Sequence, residues 1–289
     1  MTMAQRAMPL LFVLIWATGF IVARGVAPHA EPLTFLMMRY LLTMAVFTTV
    51  AVAVGAAWPK GASGWRNALI AGILIQGVYL GGVFWAARHG MPAGISALIS
   101  GLQPLLTAVL SFPLLGERVR PLQWFGIGLG FLGAVLVLLP KLGTTEGIPP
   151  LSVVLCFVAV IGITLGTVWQ KRTAAQVDLR TNAAVQFMGA ALVTAPVAAL
   201  TEEGTFDGSA PAWIGLLWSV FGLSVGAISL LLILIRRGAV AGVASLFYLV
   251  PPVVAVMAYF LFGESLIPVQ IAGMALAAGG VALANRAQG

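Results

Sequence analysis

The sequence predicts an all-α integral membrane protein of ten transmembrane helices, arranged as two inverted five-helix repeats. Three observations carry that prediction. First, the 289 residues are 61% hydrophobic and only 8% charged, with a mean hydropathy of +1.06, whereas a soluble domain needs about 25% charged residues to solvate its surface. Second, the apolar residues fall in long unbroken blocks, not in the alternating segments of about ten residues that build a membrane β-barrel. Third, a stretch of the second half repeats one in the first half at a fixed offset.

Proline, glycine and charge punctuate the blocks, and the spans follow in order: Met8–Val26, Pro32–Ala57, Asn67–Ala87, Pro92–Leu115, Pro121–Leu139, Pro149–Trp169, Thr181–Leu200, Ala212–Ile235, Ala239–Phe262 and Pro268–Ala284. At 1.5 Å of rise per residue, segments of about 18 to 26 residues cross the roughly 30 Å hydrocarbon layer. The first block lacks a strongly charged leader and nine comparable blocks follow it, so it is expected to be a span and not a cleaved signal. Placing the N-terminus in the cytoplasm puts eleven basic residues, from Arg6 to Arg286, on the cytoplasmic side, against Arg24, Arg88 and Lys141 outside. Cytoplasmic loops of membrane proteins are enriched in Lys and Arg, so both termini are expected to be cytoplasmic.

The net charge of +7 is dispersed singly and in pairs between apolar blocks, with no basic face for nucleic acid. Cys156 is the only cysteine, which excludes a disulfide scaffold and a cysteine metal site. The acidic residues are scattered, whereas an integral-membrane enzyme needs them clustered at one membrane face.

The internal repeat is legible residue by residue. At an offset of 147, Pro104, Gly116, Glu117, Pro121, Gln123, Gly126 and Gly133 match Pro251, Gly263, Glu264, Pro268, Gln270, Gly273 and Gly280. The repeats are expected over 1–142 and 143–289. Five spans is an odd number, so the second unit enters the membrane from the opposite side, the arrangement of carriers whose halves exchange conformations around a central site. A channel or facilitator built on a duplicated scaffold is the alternative. Gly116 is expected to end the fourth helix in a left-handed cap and Pro121 to begin the fifth, with Gly263 and Pro268 doing the same one repeat later. Glu117 and Glu264 are expected to cap or to accept loop hydrogen bonds.

The paired P-x(11)-G-E-x(3)-P-x-Q-x(2)-G pattern in a ten-span chain resembles the EamA-type exporters of the drug/metabolite transporter superfamily, and the whole chain looks similar to the bacterial exporters of aromatic and other amino acids. The resemblance implies efflux of small metabolites across the bacterial inner membrane, through a cavity between helices 3, 4, 8 and 9 with helices 5 and 10 at the periphery. It implies neither ATP nor a bound cofactor, and no G-x-x-x-x-G-K-[ST] stretch occurs. The expected partners are a small-molecule substrate and membrane lipid.

Candidate cavity residues are the polar and aromatic groups at mid-span depth, since a polar group facing lipid is left unsatisfied. Gln76 and Tyr79 lie three apart in the third span, with Trp85 further along. Ser96, Ser100, Gln103 and Thr107 step by four, three and four, one polar stripe on the fourth span, beside Pro104, whose missing N–H permits a bend. Pro251 repeats that hinge in the ninth span, one turn after Ser245 and Tyr248. Thr164 and Trp169 in the sixth span and Trp16 in the first complete the aromatic and polar set. Serine and threonine at these positions also glue helices together. Arg39 is the strongly ionisable side chain well inside a span; it is a fixed cation for a substrate carboxylate, a structural partner of carbonyls, or a snorkelling group. Glycines 126, 130, 133, 273 and 280, facing small residues such as Ala277 and Ala278, are expected to bring spans 5 and 10 into close contact. The Gly126-x-x-x-Gly130 pattern leaves a monomer or a weak homodimer open.

Overall fold

The computed structural model describes residues 3–91, 93–142, 149–173, 177–237, 240–262 and 267–286. These residues form an all-α, multi-pass membrane protein. Among the described residues, helical rods follow one another as α1 (Met3–Val26), α2 (Pro32–Ala53), α3 (Gly61–Arg88), α4 (Ala93–Ser100 and Gln103–Leu115), α5 (Pro121–Leu142), α6 (Pro150–Thr173), α7 (Leu179–Thr201), α8 (210–237), α9 (240–262) and α10 (Pro268–Arg286). Seven of the described helices are long and apolar enough to cross a membrane, and three shorter apolar stretches lie in α5, α9 and α10. Leu200, Phe260, Ile214 and Phe125 stand exposed around the outside, an apolar surface far larger than water tolerates and suited to lipid.

Four rods depart from regular α-helix at mid-length. A π-helical segment occupies Ile73–Val78 in α3 and another Ser219–Ile228 in α8. The fourth rod is broken at Gly101–Leu102, and the ninth passes through a 3-10 turn at Leu246–Leu249. The turn divides the expected polar stripe on α4 between two segments, Ser96 and Ser100 on one and Gln103 and Thr107 on the next, and all four are buried. Pro104 lies at the start of the second segment, where its missing N–H leaves no helical bond unmade. Pro251 likewise opens the segment Val250–Phe262. Gly116 closes α4 with φ 72°, the left-handed conformation that glycine adopts without steric cost. Gly263 and Glu264 lie outside the described residues.

Two close helix seams organise the interior. On α5 and α10, a Cβ added to Gly126 would come within 2.7 Å of the Gly280 carbonyl oxygen, and one added to Gly273 within 2.8 Å of that of Gly133. Only glycine lets two backbones approach so closely. This contact is within one chain. Two details differ from expectation: Ala277 and Ala284 line the seam while Ala278 is exposed, and Gly130 also accommodates the Tyr248 ring. The second seam joins α3 to α7, where a Cβ on Gly189 would lie 2.6 Å from the Leu69 oxygen and one on Gly72 would overlap the Gln186 backbone.

Loops at one end of the bundle are stitched across 170 residues of sequence. The Glu202 carboxylate accepts from the backbone N–H groups of Leu33 and Thr34 at 2.8 and 2.7 Å. It therefore caps α2, whose own N-cap residue Glu31 makes no side-chain cap bond. Glu31 instead accepts from the Thr205 N–H at 2.7 Å, and that backbone bond holds its carboxyl below the usual range. His29 Nδ1 lies 2.7 Å from the Asp207 carboxylate. The Ser209 N–H and His29 together hold Asp207 down to about 2.

Candidate functional site

The α1, α2, α3 and α8 rods enclose a cavity near mid-length. About 30 Å³ of space is bounded by Trp16, Gly19 and Phe20 of α1, by Arg39 of α2, by Tyr79, Leu80, Val83 and Phe84 of α3, and by Leu223 and Ile228 of α8. That is room for a water or two, so a larger guest requires the walls to part. The aromatic walls are ordered by packing. Trp16 and Tyr79 stack with centroids 6.1 Å apart and planes 18° from parallel. Phe247 of α9 meets Trp16 edge-on at 5.2 Å. The Tyr79 hydroxyl interacts with the side chains of Ser100 and Trp16, which ties α4 to the cavity wall.

Arg39 is the charged member of the lining. It is 2% exposed, and its Nε donates to the Ser224 hydroxyl at 2.9 Å. Arg39 and the described acidic residues form no ion pair. The position of α2 fixes this geometry: capped by Glu202 at one end, it presents Arg39 two turns in, beside the π-segment of α8 that carries Ser224. Widening a helix into π geometry rotates the residues that follow, and such segments often occur at functional sites.

The structure gathers Trp16, Arg39, Tyr79 and, through Tyr79, Ser100 around this one space. The other expected residues are distributed differently. Gln76, Gln103, Thr107 and Tyr248 are buried, and their side-chain polar atoms have no partner among the described residues. Each such group carries a desolvation cost of about 1–3 kcal/mol, so their environment favours a polar guest or water. Trp169 Nε1 is in the same condition. Ser96 lies with its hydroxyl 3.6 Å from Cys156 Sγ of α6 and does not line that space. Ser245 is fully buried in α9. Thr164 donates to the Val160 carbonyl at 2.7 Å and is satisfied within its own helix. Trp85 faces a separate cleft of about 370 Å³ between α3, α6 and α7, walled by Gly81, Val158 and Val197, and stacks on His89 at 3.7 Å.

Sequence reasoning overlooked Gly19, Phe20, Phe84 and Leu223 as wall residues, because apolar side chains within apolar spans carry no mark of the face they present. The Arg39–Ser224 bond joins residues 185 positions apart, and no spacing in the sequence marks it.

The EamA-like transporter family model matches residues 7–139 and again 150–286. The uncharacterized transporter YvbV of Bacillus subtilis (strain 168) is 26% identical over 281 residues, covering 94% of this chain and 88% of that protein. The uncharacterized inner membrane transporter YedA of Escherichia coli (strain K12) is 27% identical over 257 residues, covering 88% and 81%. A probable amino-acid metabolite efflux pump of the same strain is 27% identical over 175 residues, covering 60% and 55%. A crystal structure of another protein matches with a TM-score of 0.81 at 22% identity, covering 97% of this chain and 96% of that one, a likeness of fold.

Proposed function

The chain belongs to the EamA-like transporter family, and from that premise we propose that it is a bacterial inner-membrane exporter of small amphipathic metabolites, amino acids including aromatic ones, working by alternating access. Membership makes it a secondary transporter for small solutes. In this reading ten spans form two inverted repeats, 1–142 and 143–289, with both termini cytoplasmic and the Glu202–Glu31 clasp facing outward.

The observation that carries the reading is the register of the four interruptions. Adding the offset of 147 to Ile73–Val78 gives 220–225, inside the π-segment of α8, and adding it to Gly101–Leu102 gives 248–249, inside the 3-10 turn of α9. Weak points at matching depths in two oppositely inserted halves are what a carrier needs to bend one half as the other straightens. The glycine seam follows the same relation: the offset turns the contact of Gly126 with Gly280 into that of Gly273 with Gly133. Pro104 and Pro251 are the proposed hinge residues, each opening the segment beyond its break. The remaining candidates, Gln76, Gln103, Thr107, Trp169 and Tyr248, supply polar contacts along the path.

Counterflow in proteoliposomes tests the transport reading. Labelled amino acid inside is expected to exchange faster when unlabelled substrate is added outside, and Pro104→Ala or Pro251→Ala is expected to slow that exchange more than it weakens binding. Flux linear in concentration, without counterflow, would indicate a channel. Orientation is checked separately in a Cys156→Ala background. A cysteine replacing exposed Ala210 is expected to react with an impermeant thiol reagent outside sealed cells while one replacing Thr173 stays protected; the reverse pattern refutes the assignment.

A further inference from the structure

We propose that the space between α1, α2, α3 and α8 is a binding site for a small inorganic monoanion of the size of chloride, held against the Arg39 guanidinium as a resident counter-ion. The inference goes beyond the transport reading and does not depend on it, because it concerns an ion bound at equilibrium and needs no flux.

Charge is the starting point. Arginine stays protonated in proteins, so Arg39 carries a full positive charge at a position where it is 2% exposed. The rest of the lining is apolar or glycine, with Trp16 and Tyr79 as its uncharged polar members. Of the eight acidic residues, Glu31, Glu117, Asp178, Glu202, Glu203 and Asp207 lie at helix ends or in loops, and Glu146 and Glu264 lie outside the described residues. A charge buried among membrane helices is met by an opposite charge or by carbonyls, and one left uncompensated is strongly destabilising. Among the described residues the hydrogen-bond partner of this guanidinium is a neutral hydroxyl, Ser224 Oγ, 2.9 Å from Nε. A bound anion supplies the charge that the chain does not.

Size and surface select the ion. The space measures about 30 Å³, roughly two to three times the 10–15 Å³ that one water needs. It admits a monatomic halide and, while the walls stay together, excludes sulfate, phosphate and organic acids. Ser224 engages the Nε edge of the guanidinium, which leaves the Nη N–H groups as donors for an ion, and the serine keeps an O–H of its own to give. Aromatic faces are electron-rich and edges electron-poor. Trp16 lies on Tyr79 and Phe84 on Phe35, each pair 18° from parallel, so stacking covers ring faces that would otherwise repel an anion. Water fits the same space but leaves the charge uncompensated.

Thermal unfolding of the purified full-length protein in detergent at pH 7.5 tests the proposal, with sodium chloride replacing sodium gluconate at constant ionic strength. The wild-type melting temperature is expected to rise by about 2–4 °C and to level off as the site saturates. Bromide is expected to act as chloride does and sulfate to have no such effect, and in Arg39→Gln the chloride shift is expected to vanish. Crystals grown in bromide are expected to show an anomalous-scattering peak within hydrogen-bond distance of the Arg39 guanidinium. No shift in the wild type, an equal shift with sulfate, a full shift in a folded Arg39→Gln protein, or bromide crystals without that peak overturns the site. Where Arg39→Gln fails to fold, the wild-type melting series and the bromide crystals decide. Amino-acid counterflow judges the carrier separately: exchange without a chloride effect on melting overturns the anion site alone, and a chloride effect without exchange overturns the carrier alone.

Discussion

Gly72→Ala is expected to destabilise the protein by about 1–3 kcal/mol, the usual range for overpacking a tight interior, and Gly72→Leu to prevent recovery of a monodisperse protein. The added Cβ would overlap the carbonyl oxygen of Gln186, and the obstacle is backbone, not a side chain that can swing aside. Helices α3 and α7 would have to part, and α3 carries Tyr79 and the π-segment of the cavity wall. Gly189→Ala, whose Cβ would sit 2.6 Å from the Leu69 oxygen, is expected to act in the same direction. Gly128 and Gly279 have nothing within 4 Å of an added Cβ, so alanine there removes only glycine's helical penalty. Thermal unfolding in detergent, followed by size-exclusion chromatography, makes the comparison. Gly72→Ala behaving like Gly128→Ala would mean that the α3–α7 seam is looser than described.

Filling the cavity separates function from folding. Gly19 borders the space, and a Cβ there would meet Leu223 Cδ2 at 3.6 Å, ordinary van der Waals contact. The backbone therefore tolerates a side chain, and in Gly19→Phe the ring fills the space between α1 and α8 and blocks any opening of it. Exchange in proteoliposomes is expected to fall by about tenfold or more, the factor set by 1.4 kcal/mol of lost binding, with yield and elution profile close to wild type. Gly19→Ala, which adds one methyl group, is expected to have a mild effect. Wild-type exchange by a well-folded Gly19→Phe protein would remove this cavity from the transport path.

Much of the molecule is legible one residue at a time. Pro32, Pro121 and Pro268 mark helix starts, Gly116 marks an end, and the observed boundaries differ from the expected ones mainly by extension into the loops: α3 begins at Gly61 and not at Asn67, and α1 at Met3 and not at Met8. Those extensions have polar or charged first turns that a hydropathy reading trims away. Arg39 was conspicuous because one charge among apolar neighbours is rare and costly. Thr164 and Thr107 were indistinguishable as sequence. One hydroxyl is satisfied by the carbonyl four residues earlier and the other has no partner, a difference of rotamer and neighbours that no spacing encodes.

The sequence by itself determined that the chain enters the membrane, where its spans begin, and that its halves share a pattern. Those properties follow from local sums: transfer free energy over about 20 residues, the rise of a helix, and the backbone limits of proline and glycine. Only the tertiary structure decided which spans meet and which groups share a space. Arg39 finds Ser224, Trp16 finds Tyr79, and Glu202 caps a helix that begins 170 positions earlier. Gly126 and Gly130 look alike in the sequence, yet an added Cβ meets the α10 backbone at one and the Tyr248 ring at the other. Inside lipid every helix is apolar and internally hydrogen-bonded, so local pattern gives little preference among neighbours. Shape complementarity and the pairing of a few buried polar groups choose them, and both arise between residues far apart in the chain.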